Sequence, residues 1–267
     1  MNKEYAEKVE VLLRLLPIVM DEKVFAVHGG SAINLFVRDL PRYSVDIDLT
    51  YIPLEGREES LEHINNHLMS IVDKAKRAFH GMHIVPKLNT SKLLCEYQGK
   101  QVKVEVNQTK RGIIGGKIAA ALSRQHPRDL FDVKYMEYPL AETREGLLFC
   151  LLGSDRPLHE SFAPNLIDQH DALANQFDGM TDVPFTYEEF EQTRSQLIQD
   201  VFALMTAADK SFLVSFEQGE PDWDNFDFSY FKDYPSVQWK LLNLQHLKKQ
   251  NPIKLTAEAS KLQSVFG

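Results

Sequence analysis

Only two cysteines, Cys95 and Cys150, occur in 267 residues. Two thiols cannot build a disulfide framework or a four-ligand zinc site, which excludes small disulfide scaffolds and zinc ribbons. Cys150 lies in the apolar run LLFCLL, and both thiols are expected to be buried. Long hydrophobic runs are also missing. No apolar segment approaches the roughly 18 residues that a membrane span requires, so no membrane partner is expected. The first residues, MNKEYAEKVEV, contain acidic side chains and no apolar signal core, so a cytoplasmic location is expected. Low-complexity runs and internal repeats are absent, and 43% hydrophobic with 25% charged residues excludes general disorder. Positive charge is scarce: 30 Lys and Arg stand against 38 Asp and Glu, a net charge of −8 that argues against a generally sticky nucleic-acid binder. The deficit is uneven. Between Lys87 and Lys134 there are ten basic and four acidic residues, whereas between Asp178 and Asp233 there are thirteen acidic and three basic. A polyanion would be received by the first region and repelled by the second.

What is present is organised around residues 24–49, VFAVHGGSAINLFVRDLPRYSVDIDL. Val24 to Val27 suit a short buried strand. Gly29 and Gly30 end it, Ser31 is a favoured N-cap, and Ala32, Ile33, Leu35 and Phe36 recur at helical spacing. Strand, glycine turn and helix N-terminus together make an anion site, where Gly30 and Ser31 would hold phosphates through amides and a hydroxyl. His28 is read as a hydrogen-bonded core histidine or a nucleotide contact. From Ser44 to Leu49 the residues alternate, so Asp46 and Asp48 share a face while Val45, Ile47 and Leu49 point to the core. Adjacent carboxylates repel, and a strand that keeps both ionised needs a cation. Hard oxygen ligands suit magnesium or manganese brought in with substrate phosphates. The plainer reading is a solvated strand face.

Residues 2–19 form an amphipathic pattern through Val9, Leu12, Leu13, Leu16 and Val19, with Pro17 near its end. A polar loop at 53–59 precedes a helix expected over 60–79, and a strand is expected over 82–88. Lys92 to Tyr97 and Val102 to Val106, separated by Gln98, Gly99 and Lys100, give a β-hairpin signal. Glu105 lies opposite Val102, Val104 and Val106. Beside the strand of Asp46 and Asp48 it would supply a third carboxylate for the metal that activates an attacking hydroxyl. The alternative is a cross-strand ion pair with Lys92, with Lys103 a solvated flank. From Gly116 onward the spacing is helical, through KIAAALSR, RDLFDVKYM and TREGLLFCLLG, then over 162–177, 187–209, 237–249 and 255–265. GEPDWDNFDFSYF at 219–231 reads as an ordered loop, a partner surface or a solvated connection.

The glycine turn, the Asp pair and the later strand glutamate follow the order of parts in the nucleotidyltransferase fold. VHGGSAINLFVRDLPRYSVDIDL resembles the first motif of the AbiEii/AbiGii-type toxin nucleotidyltransferases, and KIAAALSRQHPRDLFDVKYM resembles their later motif. Ser31 stands where threonine is usual and preserves the hydroxyl; the interval before Asp46 is slightly longer. The resemblance covers roughly the first half of the chain. It implies an α+β fold: a nucleotidyltransferase-type mixed sheet with flanking helices over 1–125, then a mostly helical C-terminal domain over 126–267.

The activity implied is transfer of a nucleoside monophosphate from a nucleoside triphosphate to an acceptor hydroxyl, with Mg2+ or Mn2+, two ions, as cofactor. Asp46, Asp48 and Glu105 would be the metal ligands. Gly29, Gly30, Ser31, Arg42 and Ser44 would position the nucleotide or the Asp strand. Lys117, assisted by Arg124 or Arg128, would neutralise triphosphate charge. Asp132 would orient Lys117 or Arg42, and Asp129 would cap or pair locally. The acceptor implied is RNA, in some relatives the 3′ end of transfer RNA, and the partner an antitoxin protein. The competing readings are a small-molecule nucleotidyltransferase resembling antibiotic-modifying enzymes and a nucleotide-binding interaction protein without turnover.

Overall fold

The computed structural model describes residues 2–37, 39–107, 113–136 and 139–267. They fall into two compact units, residues 1–108 with 174–184, and residues 109–173 with 185–267. In the first unit, helix α1 (Lys3–Met20) starts where the Asn2 side chain accepts from the Glu4 amide at 3.0 Å, satisfying an amide that has no partner within the helix. Val11, Leu12, Leu15 and Val19 bury one face of it. The strands are β1 (Phe25–His28), β2 (Ile47–Tyr51), β3 (His83–Lys87), β4 (Lys92–Tyr97) and β5 (Lys100–Asn107). Their order in the sheet is β1-β2-β5-β4-β3. β2 and β5 pair in parallel and every other pair is antiparallel, so the sheet is mixed.

Two short helical pieces punctuate the sheet's start: α2 (Gly29–Ala32) directly after β1, and a wider π-type turn over Ile33–Val37. Helix α3 (Arg57–Ala78) fills the crossover that a parallel pair requires, burying Ile64, Leu68, Ile71, Val72 and Ala75. Alternation marks the adjacent strands β2 and β5, with Thr50 on β2 the buried exception on the polar parity. Ile47, Leu49, Tyr51, Val102, Val104 and Val106 are buried, while Asp48, Lys103 and Glu105 stand at positions of opposite parity. β2 begins at Ile47, so Asp46 immediately precedes the strand instead of lying within it.

Residues 174–184 return to this unit and brace the segment before β2. The Tyr43 amide donates to the Met180 carbonyl at 2.9 Å, Thr181 Oγ1 donates to the Pro41 carbonyl, and the Asn2 amide donates to the Gly179 carbonyl at 2.8 Å.

The second unit is helical: α4 (Ile113–Arg124), α5 (Pro127–Tyr135), α6 (Arg144–Leu152), α7 (His159–Phe162), α8 (His170–Ala172), α9 (Tyr187–Leu204), α10 (Ala207–Glu217), α11 (Pro235–Gln250) and α12 (Pro252–Phe266). The segment 162–177 is not one helix. α7 stops at Phe162, and Pro164, which lacks an amide proton and disfavours helical geometry at Ala163, keeps the chain irregular up to α8. The helix expected over 187–209 ends at Leu204 and restarts at Ala207. Thr206 Oγ1 accepts from the Asp209 amide at 3.1 Å and Asp209 accepts from the Thr206 amide at 2.9 Å, a reciprocal cap that starts a new helix.

The acidic aromatic stretch is anchored by its rings: Phe226 stacks on Phe212 at 3.7 Å and Phe231 meets Phe149 at 5.1 Å. Arg144 reaches Asp209 at 2.7 and 2.8 Å and Asp227 at 2.8 Å. Among the described residues no helix is long and apolar enough to cross a membrane.

Candidate active site

At the end of β1 the chain turns through Gly29, whose φ of +72° belongs to the left-handed region that glycine enters at little cost. A Cβ built there would lie 2.5 Å from Asp48 Oδ2, so the turn closes directly over that carboxylate. Gly30 is buried against Arg42 and Ser44, with its ideal Cβ position 2.8 Å from Arg42 Nη2 and 2.9 Å from Ser44 Oγ. Ser31, 2% exposed, bonds Ser44 Oγ at 3.0 Å and donates to the Asp46 carbonyl. Its hydroxyl therefore fastens the start of α2 to the segment that leads into β2. Arg42, itself buried, donates from Nη1 to the Tyr43 carbonyl at 2.6 Å, and its own carbonyl accepts from Asn34 Nδ2 at 2.9 Å. Gly29, Gly30, Ser31, Arg42, Ser44, Asp46 and Asp48 thus occupy one neighbourhood.

Glu105 joins them through strand register. Asp48 of β2 is the direct partner of Glu105 on parallel β5, and also of His28 on β1. Two lysines share the Glu105 carboxylate: Lys92 Nζ is 3.1 Å from Oε1 and Lys103 Nζ is 3.0 Å from Oε2, with Lys103 also 3.8 Å from Asp46 Oδ2. The pair with Lys92 follows from β4 and β5 register, which sets the two residues opposite each other.

Burial works to raise the Glu105 carboxyl pKa, and hydrogen bonds and charge from Lys103 and Lys92 outweigh it, so the pKa is lowered. Burial likewise opposes the Lys103 charge, but Asp46, Glu105 and Asp48 outweigh it and raise the ammonium pKa. Lys92 and Lys103 offset part of the carboxylate charge in this cluster, and Arg42 adds a further positive charge beside the glycine turn. Sequence reasoning passed over Lys103 as a flank. Its signal was the two-residue spacing to Glu105, which places both side chains on one face of β5.

The remaining residues predicted for the site are in the second unit. Lys117, 7% exposed, lies with Nζ 2.7 Å from Asp132 Oδ2 and 3.1 Å from Asp129 Oδ1; both carboxylates are buried. Arg124 Nη2 reaches Asp129 Oδ2 at 2.8 Å while most of its own side chain stays exposed. Arg128 is half-buried in the first turn of α5, where its amide donates to His126 Nδ1 at 3.1 Å. Lys117 and Arg124 together balance the charges of Asp129 and Asp132, and the Lys117 ammonium is fixed in direction between the two carboxylates.

Another group on the first unit brings together metal-binding side chains: Glu55, Glu59 and His63, with ligand atoms within 4.8 Å of one another. His63 Nδ1 lies 3.0 Å from Glu55 Oε2, to which Tyr51 Oη donates at 2.8 Å. Glu55, His63 and Tyr51 already bond one another, while Glu59 is exposed.

Asp46 just before β2, Asp48 on β2 and Glu105 on β5 offer the oxygen donors that a hard divalent cation takes, with a glycine turn closed against Asp48, so the chemistry of the donor set suits such a group; among the described residues the side chains that already converge as three ligands are instead Glu55, Glu59 and His63. The family model described as "Nucleotidyl transferase AbiEii toxin, Type IV TA system" matches residues 10–112. That span includes the glycine turn, Arg42, both aspartates and Glu105. No curated protein matches the chain, and no solved structure does.

Proposed function

We propose, from the match of residues 10–112 to the AbiEii nucleotidyl transferase model, that the chain is a nucleotidyltransferase. The enzyme joins the oxygen of an acceptor hydroxyl to the α-phosphorus of a nucleoside triphosphate. The bond from that phosphorus to the bridging oxygen breaks, pyrophosphate leaves, and the hydroxyl proton passes to solvent or a nearby base. The acceptor is RNA, specifically the 3′ end of transfer RNA, and the protein acts in the cytoplasm as the toxin of a toxin–antitoxin pair. The observation that carries the reading is the register of Asp48 with Glu105, beneath a turn in which Gly29 closes against Asp48.

Asp46, Asp48 and Glu105 would hold Mg2+ or Mn2+, two ions in the working complex. When bound, such ions neutralise developing charge on the attacking and leaving oxygens and acidify the attacking hydroxyl. The chain's own groups do the positioning. Gly29 and Gly30 let the chain turn closely against Asp48, Arg42 and Ser44 at the start of α2, and Arg42 sets a fixed positive charge beside that turn. Lys103 keeps Glu105 ionised against burial. Lys117, aimed by Asp129 and Asp132, would meet triphosphate charge, with Arg124 and Arg128 assisting. The catalytic portion is assigned to residues 1–125 and the helical portion to 126–267. The basic stretch from Lys87 to Lys134 supports a polyanionic acceptor.

The test is nucleotide transfer with each of the four labelled triphosphates, Mg2+ and total RNA. The wild-type chain is expected to label RNA, and Asp48→Asn to lose at least about 100-fold in rate, as expected for a lost electrostatic anchor of the transition state. Absence of any labelled RNA, with transfer to a small hydroxyl compound instead, would overturn the RNA acceptor. Undiminished transfer by Asp48→Asn would overturn the site.

A further inference from the structure

Lys103 approaches two of the three candidate metal-binding carboxylates, Asp46 and Glu105. It extends from the same face of β5 as Glu105, two positions away, and about two thirds of its side chain is covered. Its direction is constrained from both sides. Lys92 occupies the other Glu105 oxygen, leaving Oε2 to Lys103 at 3.0 Å, and Asp46 Oδ2 lies 3.8 Å away. A positive charge so near the carboxylates repels any further cation placed among them. In a half-buried site this repulsion is screened far less than at an open surface.

We propose that Lys103 is a built-in cation that tunes the carboxylate cluster, keeping its affinity for free divalent ions low and coupling ion binding to the arrival of the triphosphate. This rests on the reading of Asp46, Asp48 and Glu105 as a metal site. The physical logic is a balance of charge. Lys92 and Lys103, with Arg42 beside the glycine turn, offset most of the charge of the three carboxylates and leave a weak trap for a dication alone. A triphosphate adds several negative charges, so ion and nucleotide bind together far better than either does alone. Lys103 then faces phosphate as well as carboxylate. Lysine suits this because its ammonium is a compact point charge on a flexible stem that can attend to either. Lys103 is a positioning residue in this scheme: it changes where charge is stable and takes no part in bond making.

The experiment is a Mn2+ titration of the full-length chain without nucleotide, read by the electron paramagnetic resonance signal of free Mn2+, and repeated with a saturating nucleoside triphosphate. Lys103→Met is expected to bind Mn2+ alone at least about tenfold tighter than wild type, because a repelling charge has gone. The factor by which nucleotide improves Mn2+ affinity should shrink correspondingly. Lys103→Arg, which retains the charge, should stay within about twofold of wild type by the same reasoning. Unchanged or weaker Mn2+ binding by Lys103→Met, or equal tightening by Lys103→Arg, would overturn the inference. Asp48→Asn in the same titration separates this failure from that of the underlying site: Mn2+ binding indifferent to Asp48→Asn sinks both. Binding that depends on Asp48 but ignores Lys103 sinks only the role of Lys103.

Discussion

Gly29 combines two demands that no other residue type meets together. Its φ of +72° strains any side chain, and a Cβ would sit 2.5 Å from Asp48 Oδ2, well inside contact distance. Gly29→Ala should destabilise the chain by about 1–3 kcal/mol and move Asp48 out of place. Urea unfolding should show the loss of stability, and the transfer assay a greater loss of rate than stability alone accounts for.

Glu22 makes a different prediction. It is 7% exposed and accepts from His67 and Ser70 at 2.6 Å and from Lys74 at 2.8 Å. Burial pushes its pKa up, but Lys74, Ser70 and His67 prevail and bring it from 4.5 to about 2. Because the folded pKa is depressed, the stabilisation is fully present above 4.5 and is lost as pH falls toward 2. At 1.36 kcal/mol per unit its upper bound is about 3 kcal/mol. Glu22→Gln should therefore be less stable than wild type at pH 6, with the gap narrowing as the pH falls through that window, measured by urea unfolding at successive pH values.

At the scale of elements, α4 and α6 cross where Gly115 meets Gly146. A Cβ at Gly115 would lie 2.3 Å from the Gly146 carbonyl carbon, and backbone cannot yield as a flexible side chain does. Gly115→Ala should cost about 3 kcal/mol by forcing the helices apart. The adjacent Gly116→Ala meets only Cys150 Sγ at 3.8 Å and should be neutral or stabilising by up to about 1 kcal/mol, because alanine loses less backbone freedom in a helix. Trp223 and Trp239 both belong to the second unit, so tryptophan fluorescence during denaturation reports this comparison directly. The hairpin of β4 and β5 was readable from Gln98, Gly99 and Lys100 because turn chemistry is local. The break near Met205 was missed because the apolar spacing runs on through it, and only the Thr206 and Asp209 cap shows where a new helix starts.

For the whole molecule, the basic span 87–134 and the acidic span 178–233 give a charge distribution that a net value of −8 conceals. Binding of the proposed RNA acceptor should be strongly salt-dependent. Neutralising even three phosphates of a single strand, at a logarithmic slope of about 0.7 each, weakens binding more than tenfold when salt rises from about 50 to about 200 mM. Fluorescence anisotropy with labelled transfer RNA measures this, and an affinity independent of salt would contradict a phosphate-led interface. Part of the architecture depends on sequence-distant chain: residues 174–184 brace the segment around Arg42 through Met180 and Thr181, contacts that no local pattern around residue 42 announces.

The amino-acid sequence by itself determined a strand-rich N-terminal portion followed by a helical one, the glycine turn after a short strand, and Asp48 and Glu105 at strand positions of opposite parity to the buried residues. Each follows from near-neighbour periodicity and backbone preference. Only the tertiary structure decided that Asp48 faces Glu105, that Lys103 is shared by Asp46 and Glu105, and that Lys117 lies between Asp129 and Asp132. Strand pairing across more than fifty residues selects among many registers, and a one-residue slip would send each side chain to the other face. Ion pairs depend on that choice to within an ångström or so, because Coulomb energy and hydrogen bonding are set by distance in space and not along the chain.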